Sequence, residues 1–493
     1  MLTRLTIHGF KNLSGVDLRL GPFTCVAGPN GSGKSNLFDA ISFLAALAEH
    51  DLLNAALSVR GCENGDIRNL FQRSGDTWCD EMEFGVEMVI PESGQDDLGQ
   101  EARASMTFVR YDLRLRYRPA SPGRHPEGIQ IVEEKLDRLQ KGKAYSSLPF
   151  PHKKAWRDSA VRGRRTSPYI STSLGRDDAT QMVSLHADSD GGLGGGRPYQ
   201  VPAGSLTRTM LSSARYAATH KTQVVARQEM ASWMQLQLEP TALRQPDSFT
   251  GPHTLGADGS HLPHTLYWLS QRIGDGGGSA CERVARRLSE LVEGVREISV
   301  DVDERRQLYT LRLTDLGGTS FVASALSDGT LRFLALSVLE MDPTGRGVLC
   351  MEEPENGIHP RRTPAMVRLL QDLATDVNLP VGEDNPLRQV IVNTHSPAVV
   401  GEMPDDALVY VVSERVGSGD LRSVFAPLPH TWRTRAQPGI LPVPRGEVLT
   451  FLNPFGSSPS TPRKAQVGVR KVKEREDLAC QLPLFVPPEG ERA

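Results

Sequence analysis

The chain has 493 residues, of which 39% are hydrophobic and 23% charged, with a formal net charge of −3. That length allows more than one domain. The charge balance excludes a global field drawing the protein onto nucleic acid or a membrane, so any nucleic-acid contact has to use a local patch.

Residues 2–10 alternate in polarity and predict a strand, and 16–20 predict a second. A third, short and apolar, covers 23–27. It runs into Gly28-Pro29-Asn30-Gly31-Ser32-Gly33-Lys34-Ser35, which fits the phosphate-binding pattern G-x-x-x-x-G-K-[ST] without a mismatch. A helix expected over 35–48 completes the strand–loop–helix context that this pattern needs. The glycines let backbone N–H groups close on phosphate as an anion nest, and the helix adds its N-terminal dipole. Lys34 is expected to reach the β- and γ-phosphates of ATP, and the Ser35 hydroxyl to ligate Mg²⁺. Asn30, Gly31, Ser32, Gly33 and Asn36 complete the expected nucleotide-binding stretch. Runs 83–90 and 105–117 alternate as antiparallel strands.

From about 119 to 278 the pattern loosens. Two glycine clusters, at 191–196 and 276–278, read as loops. Polar helical segments are expected near 205–237, with further helices after Ser260 and over 280–294. No sustained heptad pattern is present, which argues against a long coiled coil. Segment 152–165 is locally basic with one aromatic, Trp156. It reads either as a DNA contact, with Trp156 stacking on a base, or as a solvated loop facing water or an acidic partner. Gly256 to Pro263 reads as a turn in which Asp258 or Ser260 caps the next helix.

Regular α/β patterning returns near Ile298. Strands are expected at 298–303 and 307–314, then a helix at 328–340. A strand at 347–352, a helix at 361–375, a strand at 388–393, a helix near 397–402 and a strand at 407–412 follow. Three segments here carry chemistry. In Leu326-Ser327-Asp328-Gly329-Thr330, Ser327 is a good N-cap and Gly329 keeps the first turn open. Val348 to Met351 form an apolar strand that delivers Glu352 and Glu353 to its C-terminal end, where an open α/β sheet places its ligand. Glu352 is expected to hold Mg²⁺ and Glu353 to act as general base on the attacking water. His395, after a second apolar strand, is positioned to donate to the γ-phosphate or the water. The tail after about 435 is rich in Pro and Gly and carries basic residues at 463–464 and 470–473.

The six cysteines are scattered and form no C-x-x-C pair, which argues against a zinc or dithiol redox motif. Cys25 and Cys350 sit in apolar runs and are expected as buried thiols. The thiols suit a reducing, cytoplasmic setting. No apolar run reaches about 18 residues and no secretory leader pattern opens the chain, so no membrane contact is expected.

The motif order, with the signature segment at Ser327 ahead of the acidic strand and a histidine loop after it, resembles the ABC-type arrangement. The opening Leu5-Thr6-Ile7-His8-Gly9-Phe10-Lys11-Asn12-Leu13 and the run Pro354-Glu355-Asn356-Gly357-Ile358-His359-Pro360 narrow the resemblance to RecF/SMC/OLD-like ATPase heads. It is greatest to stand-alone bacterial AAA-family ATPases of OLD-like and anti-phage systems, and covers roughly 1–118 and 296–413. The resemblance implies an α/β P-loop NTPase fold of ABC-head type: a mixed sheet with flanking helices, an antiparallel β lobe, and a helical or irregular insertion. The implied parts are an N-terminal lobe at 1–118, an inserted region of helical arm and loops at 119–295, a C-terminal lobe at 296–435 and a tail at 436–493.

It further implies a homodimer or higher oligomer around two ATP molecules, with Ser327 and Gly329 of one subunit facing the nucleotide of the other. Lys11 or Asn12 is implied near the base, and Gln72 as a metal-linked glutamine. The implied output is a molecular switch for a separately encoded effector, such as a TOPRIM-like nuclease, in anti-phage defence. A RecF-like repair ATPase acting on DNA and an ATP-binding scaffold with little turnover are the alternatives. The signature departs from that of transporters in reading Ser-Asp-Gly, and about 290 residues separate it from the P-loop. No Asp-x-Asp cluster follows His395, so no intrinsic nuclease is expected.

Overall fold

Every residue of the strand Arg388–Thr394 is buried, and its side chains divide by parity between two cores. Val390 and Val392 pack with the helices of the second half of the chain, while Ile391 packs with the first half. This is the period-two signature of a strand covered on both faces. The computed structural model describes residues 1–121, 126–140, 142, 147–175, 180–188, 198–272, 279–416 and 420–452. The two glycine clusters and the basic tail residues fall outside the described residues.

Arg388–Thr394 lies inside a six-stranded sheet, in the order Met234–Leu236, Gly347–Glu352, Arg388–Thr394, Phe23–Ala27, Leu408–Val416 and Asp420–Pro427. The first five strands are parallel and the last is antiparallel. Parallel neighbours put their C-terminal ends on one edge. The register pairs Glu352 with Asn393 and Asn393 with Val26, so residues over 300 positions apart share one row.

On one face lies the helix Lys34–Glu49, packed along the helix Lys221–Ala231 and covered by a second sheet. That sheet is antiparallel and eight-stranded, ordered Tyr199–Pro202, Gln181–Leu185, Ile170–Leu174, Gly128–Arg138, Phe108–Arg118, Glu81–Val89, Leu2–His8 and Val16–Arg19. On the other face lie the helices Leu262–Arg272, Ala280–Leu291, Asp328–Met341 and Thr363–Asp372. Cys25 and Cys350 are buried, as expected, at 0% and 1% exposure. Among the described residues no helix is long and apolar enough to cross a membrane.

The stretch 119–295 differs from the expected arm of helices and loops. Four of its strands extend the antiparallel sheet and Met234–Leu236 adds to the parallel one. The periodicity is hidden in Gly128–Arg138, because a bulge between Ile131 and Glu133 shifts the alternation and a charged residue, Glu134, occupies the next core position at 0% exposure.

Segment 152–165 also departs from expectation. Trp156 is fully buried against Phe150 and His152, within a cluster that includes Met1, Val89 and Phe108, so it offers no face for a base. Arg165 is likewise internal, 2.7 Å from Asp188 and stacked on Tyr169. Lys153, Lys154 and Arg164 remain exposed.

Candidate functional site

The strand Phe23–Ala27 ends in the phosphate-binding loop, and the loop ends in the helix Lys34–Glu49. Gly31 and Gly33 take positive φ, 76° and 94°, conformations that a side chain would strain. Gly33 has a second constraint: a Cβ there would lie 2.0 Å from Ser423 Oγ and 2.7 Å from Asn12 Nδ2. Two neighbours brace the loop. Ser423 Oγ donates to Ser32 O at 2.6 Å, and Asn36 Nδ2 donates to Asn12 Oδ1 at 2.7 Å. Ser32 Oγ is buried without a protein partner. Lys34 Nζ is held by Gly28 O and Pro29 O at 2.8 Å each, arched over the loop it belongs to. Burial pulls its pKa down, while Glu353, Glu352 and Glu355 pull it up. Asn30 is exposed at the loop's rim.

The acidic pair leaves the same edge. Glu352 ends its strand, and Asn393 Nδ2 donates to Glu352 Oε1 at 3.3 Å. Glu353 then turns into the left-handed region with φ 46°, a costly place for a residue with a side chain. Its N–H donates to Asn393 O at 2.9 Å, which fastens the kink to the neighbouring strand. The kink brings Glu353 Oε1 to 2.6 Å from His395 Nδ1, while Asn356 Nδ2 donates to Glu353 Oε2 at 3.0 Å. A carboxylate only accepts, so Nδ1 carries the proton in this pair. Behind this pair, Thr394 Oγ1 donates to Glu355 Oε1 at 2.5 Å. Burial pushes the Glu355 carboxyl up, and its other oxygen has no protein partner.

Ser35 and Glu352 are hard oxygen donors, and one or two such ligands beside substrate phosphates suit Mg²⁺. The donor set therefore fits the metal that the loop pattern implies.

The remaining candidates lie elsewhere. Lys11, with φ 47°, donates to Asp39 Oδ2 at 2.7 Å and to Arg60 O at 2.8 Å; Asn12, not Lys11, abuts the loop. Gln72 is fastened through its backbone to Gly9 O at 2.9 Å. Ser327 caps the helix Asp328–Met341, accepting from Thr330 N at 3.2 Å. Ser327 and Gly329 line a groove of about 570 Å³ with Gly357, His359, Arg361 and Arg362, and no residue of the phosphate-binding loop lines it. Sequence reasoning gave Ser423, Asn393 and Asn356 no role of their own. Asn356 stood inside a quoted motif and Asn393 at the end of an expected strand, whereas Ser423 carried no local signal.

Two family profiles match the chain. The "RecF/RecN/SMC N terminal domain" matches residues 1–90, and the "AAA domain, putative AbiEii toxin, Type IV TA system" matches 260–401. The DNA replication and repair protein RecF of Paenarthrobacter aurescens is 38% identical over 87 residues, 17% of this chain and 22% of that protein. RecF of Clavibacter sepedonicus is 36% identical over 123 residues, 24% of this chain and 29% of that protein. The structural maintenance of chromosomes protein 1 of Arabidopsis thaliana is 32% identical over 116 residues, 22% of this chain and 9% of that protein. The alignments thus span less than a third of each of these relatives. Among solved structures, an SMC head bound to the C-winged helix domain of ScpA aligns with 87% of this chain and 98% of its own, at 14% identity and a TM-score of 0.46. With its phosphate-binding loop, acidic pair and histidine on one sheet edge, and with these two profiles matched at 1–90 and 260–401, the chain is similar to ABC-type, RecF/SMC-like ATPases.

Proposed function

We propose that the protein hydrolyses ATP with Mg²⁺ at a composite site, and that a second copy of the chain completes it. The observation that carries this reading is the convergence of Lys34, Glu352, Glu353 and His395 at one sheet edge, while Ser327 opens onto a separate groove. The loop N–H groups and Lys34 hold the triphosphate. Ser35 and Glu352 would hold Mg²⁺, which supplies charge neutralisation at the phosphate oxygens. Glu353 takes a proton from water as the water oxygen bonds to the γ-phosphorus and the β–γ bridging bond breaks, leaving ADP and phosphate. His395 and Asn356 keep that carboxylate aimed.

Steady-state phosphate release tests the chemistry. Glu353→Gln should retain ATP binding and lose roughly 10²-fold or more in rate. Lys34→Ala should lose nucleotide binding. Unchanged turnover in the first, or unchanged affinity in the second, overturns the assignment.

ATP-driven closure is the input that a switch needs, and we assign its output to a separately encoded effector, with a TOPRIM-like nuclease of an anti-phage system as the first candidate. A second reading, direct action on DNA, has support in the RecF relatives and in the exposed Lys153, Lys154 and Arg164. Salt-dependent DNA binding that weakens on charge reversal at those three positions would favour it over the effector reading.

A further inference from the structure

The turn between the acidic strand and the helix Thr363–Asp372 presents two arginines to the Ser327 groove. Arg361 and Arg362 form a single 3₁₀ turn begun by Pro360, and His359 Nδ1 accepts from Arg361 N at 3.2 Å. The turn is locked to the signature helix. A Cβ on Gly329 would lie 2.9 Å from Gly357 O, and Arg332 donates to Asn356 O. Neither Arg361 nor Arg362 forms an ion pair among the described residues. Of the groove's acids, Glu290 lies 2.9 Å from Arg287, which it shares with Glu340 and Asp372, and Glu293 is unpaired among the described residues. The lining thus carries two acids and two arginines, and the arginines lie beside the Ser327 cap with no carboxylate bound to them among the described residues. Guanidinium forks match phosphate oxygens in pairs, so two unpaired arginines side by side suit a polyphosphate.

We propose that Arg361 and Arg362 of one copy contact the triphosphate of the nucleotide held on the phosphate-binding loop of a second copy. The groove is then the receiving half of the composite site, and it recognises nucleotide and neighbour together. This rests on the composite-site reading above and adds two residues to it. It also explains why the turn is built rigidly: a phosphate contact supplied across an interface is useful only if its donors are already placed.

Complementation between chains tests this. The double variant Arg361→Glu/Arg362→Glu should still bind ATP as a single chain through its own loop, yet fail to self-associate with ATP and lose roughly 10²-fold or more in phosphate release. Mixed with Lys34→Ala, which keeps the arginines but holds no nucleotide, it should recover both association and turnover, because one of the two sites is then intact. Damage by the double substitution to its own chain's nucleotide-binding half would not be rescued by a second chain. Wild-type association and turnover in the double variant alone, or a mixture no better than its components, overturns the proposal and leaves the composite site standing. Wild-type turnover per chain that is independent of protein concentration overturns both.

Discussion

Glu353 occupies a backbone conformation that few residues with side chains adopt, and it does so at the point where two strand ends meet. Such an outlier persists only when its surroundings hold it, and Asn393 does so from the neighbouring strand. Function is the simplest account of that strain, since the same kink delivers the carboxylate to His395. A second residue carries strain of a different kind. Glu134 is fully buried and accepts from Met210 N, Leu211 N and Tyr111 Oη, yet burial still pushes its pKa up from 4.5 to about 7. With a raised folded-state pKa, the folded chain holds the proton more tightly than the unfolded chain, which favours folding wherever that proton is bound. This contribution is complete below about pH 4.5 and disappears as pH rises through about 7. At about 1.4 kcal/mol per unit it amounts to on the order of 3 kcal/mol. Urea midpoints from pH 5 to 8 should therefore fall more steeply for the wild type than for Glu134→Gln; parallel curves would remove Glu134 as the cause.

At the scale of elements, the readable parts were those whose local chemistry and long-range role coincide. The strand Phe23–Ala27, the strand Gly347–Glu352 and the helix Pro397–Glu402 fall where apolar runs and punctuating Gly and Pro residues predict them. The candidate site was legible for the same reason, because its loop, acidic pair and histidine are local patterns. What escaped depended on partners far away in sequence. Ser423 meets Ser32 across 391 positions, and nothing around Ser423 announces it. The strand Gly128–Arg138 hid behind a bulge and a buried glutamate. Trp156 illustrates the opposite error, since basic neighbours made it look exposed although Phe150, Phe108 and Met1 enclose it. Trp156→Ala should lower the unfolding free energy by about 3–5 kcal/mol, as a large core truncation does. A change under about 0.5 kcal/mol would fit a surface residue instead.

For the whole molecule, one six-stranded sheet serves two halves of the chain with opposite needs. One face carries the helix that follows the phosphate-binding loop, and the other carries the helix that Ser327 caps. The phosphate-binding loop and the Ser327 groove share no lining residue. On the proposed composite site, a single chain holds both halves without joining them, and a symmetric pair would join them twice. The direct test is sedimentation of Glu353→Gln with and without ATP and Mg²⁺. The composite site predicts a species of twice the mass that appears only with ATP, and that Ser327→Arg abolishes without loss of nucleotide affinity. An unchanged mass with saturating ATP would contradict it.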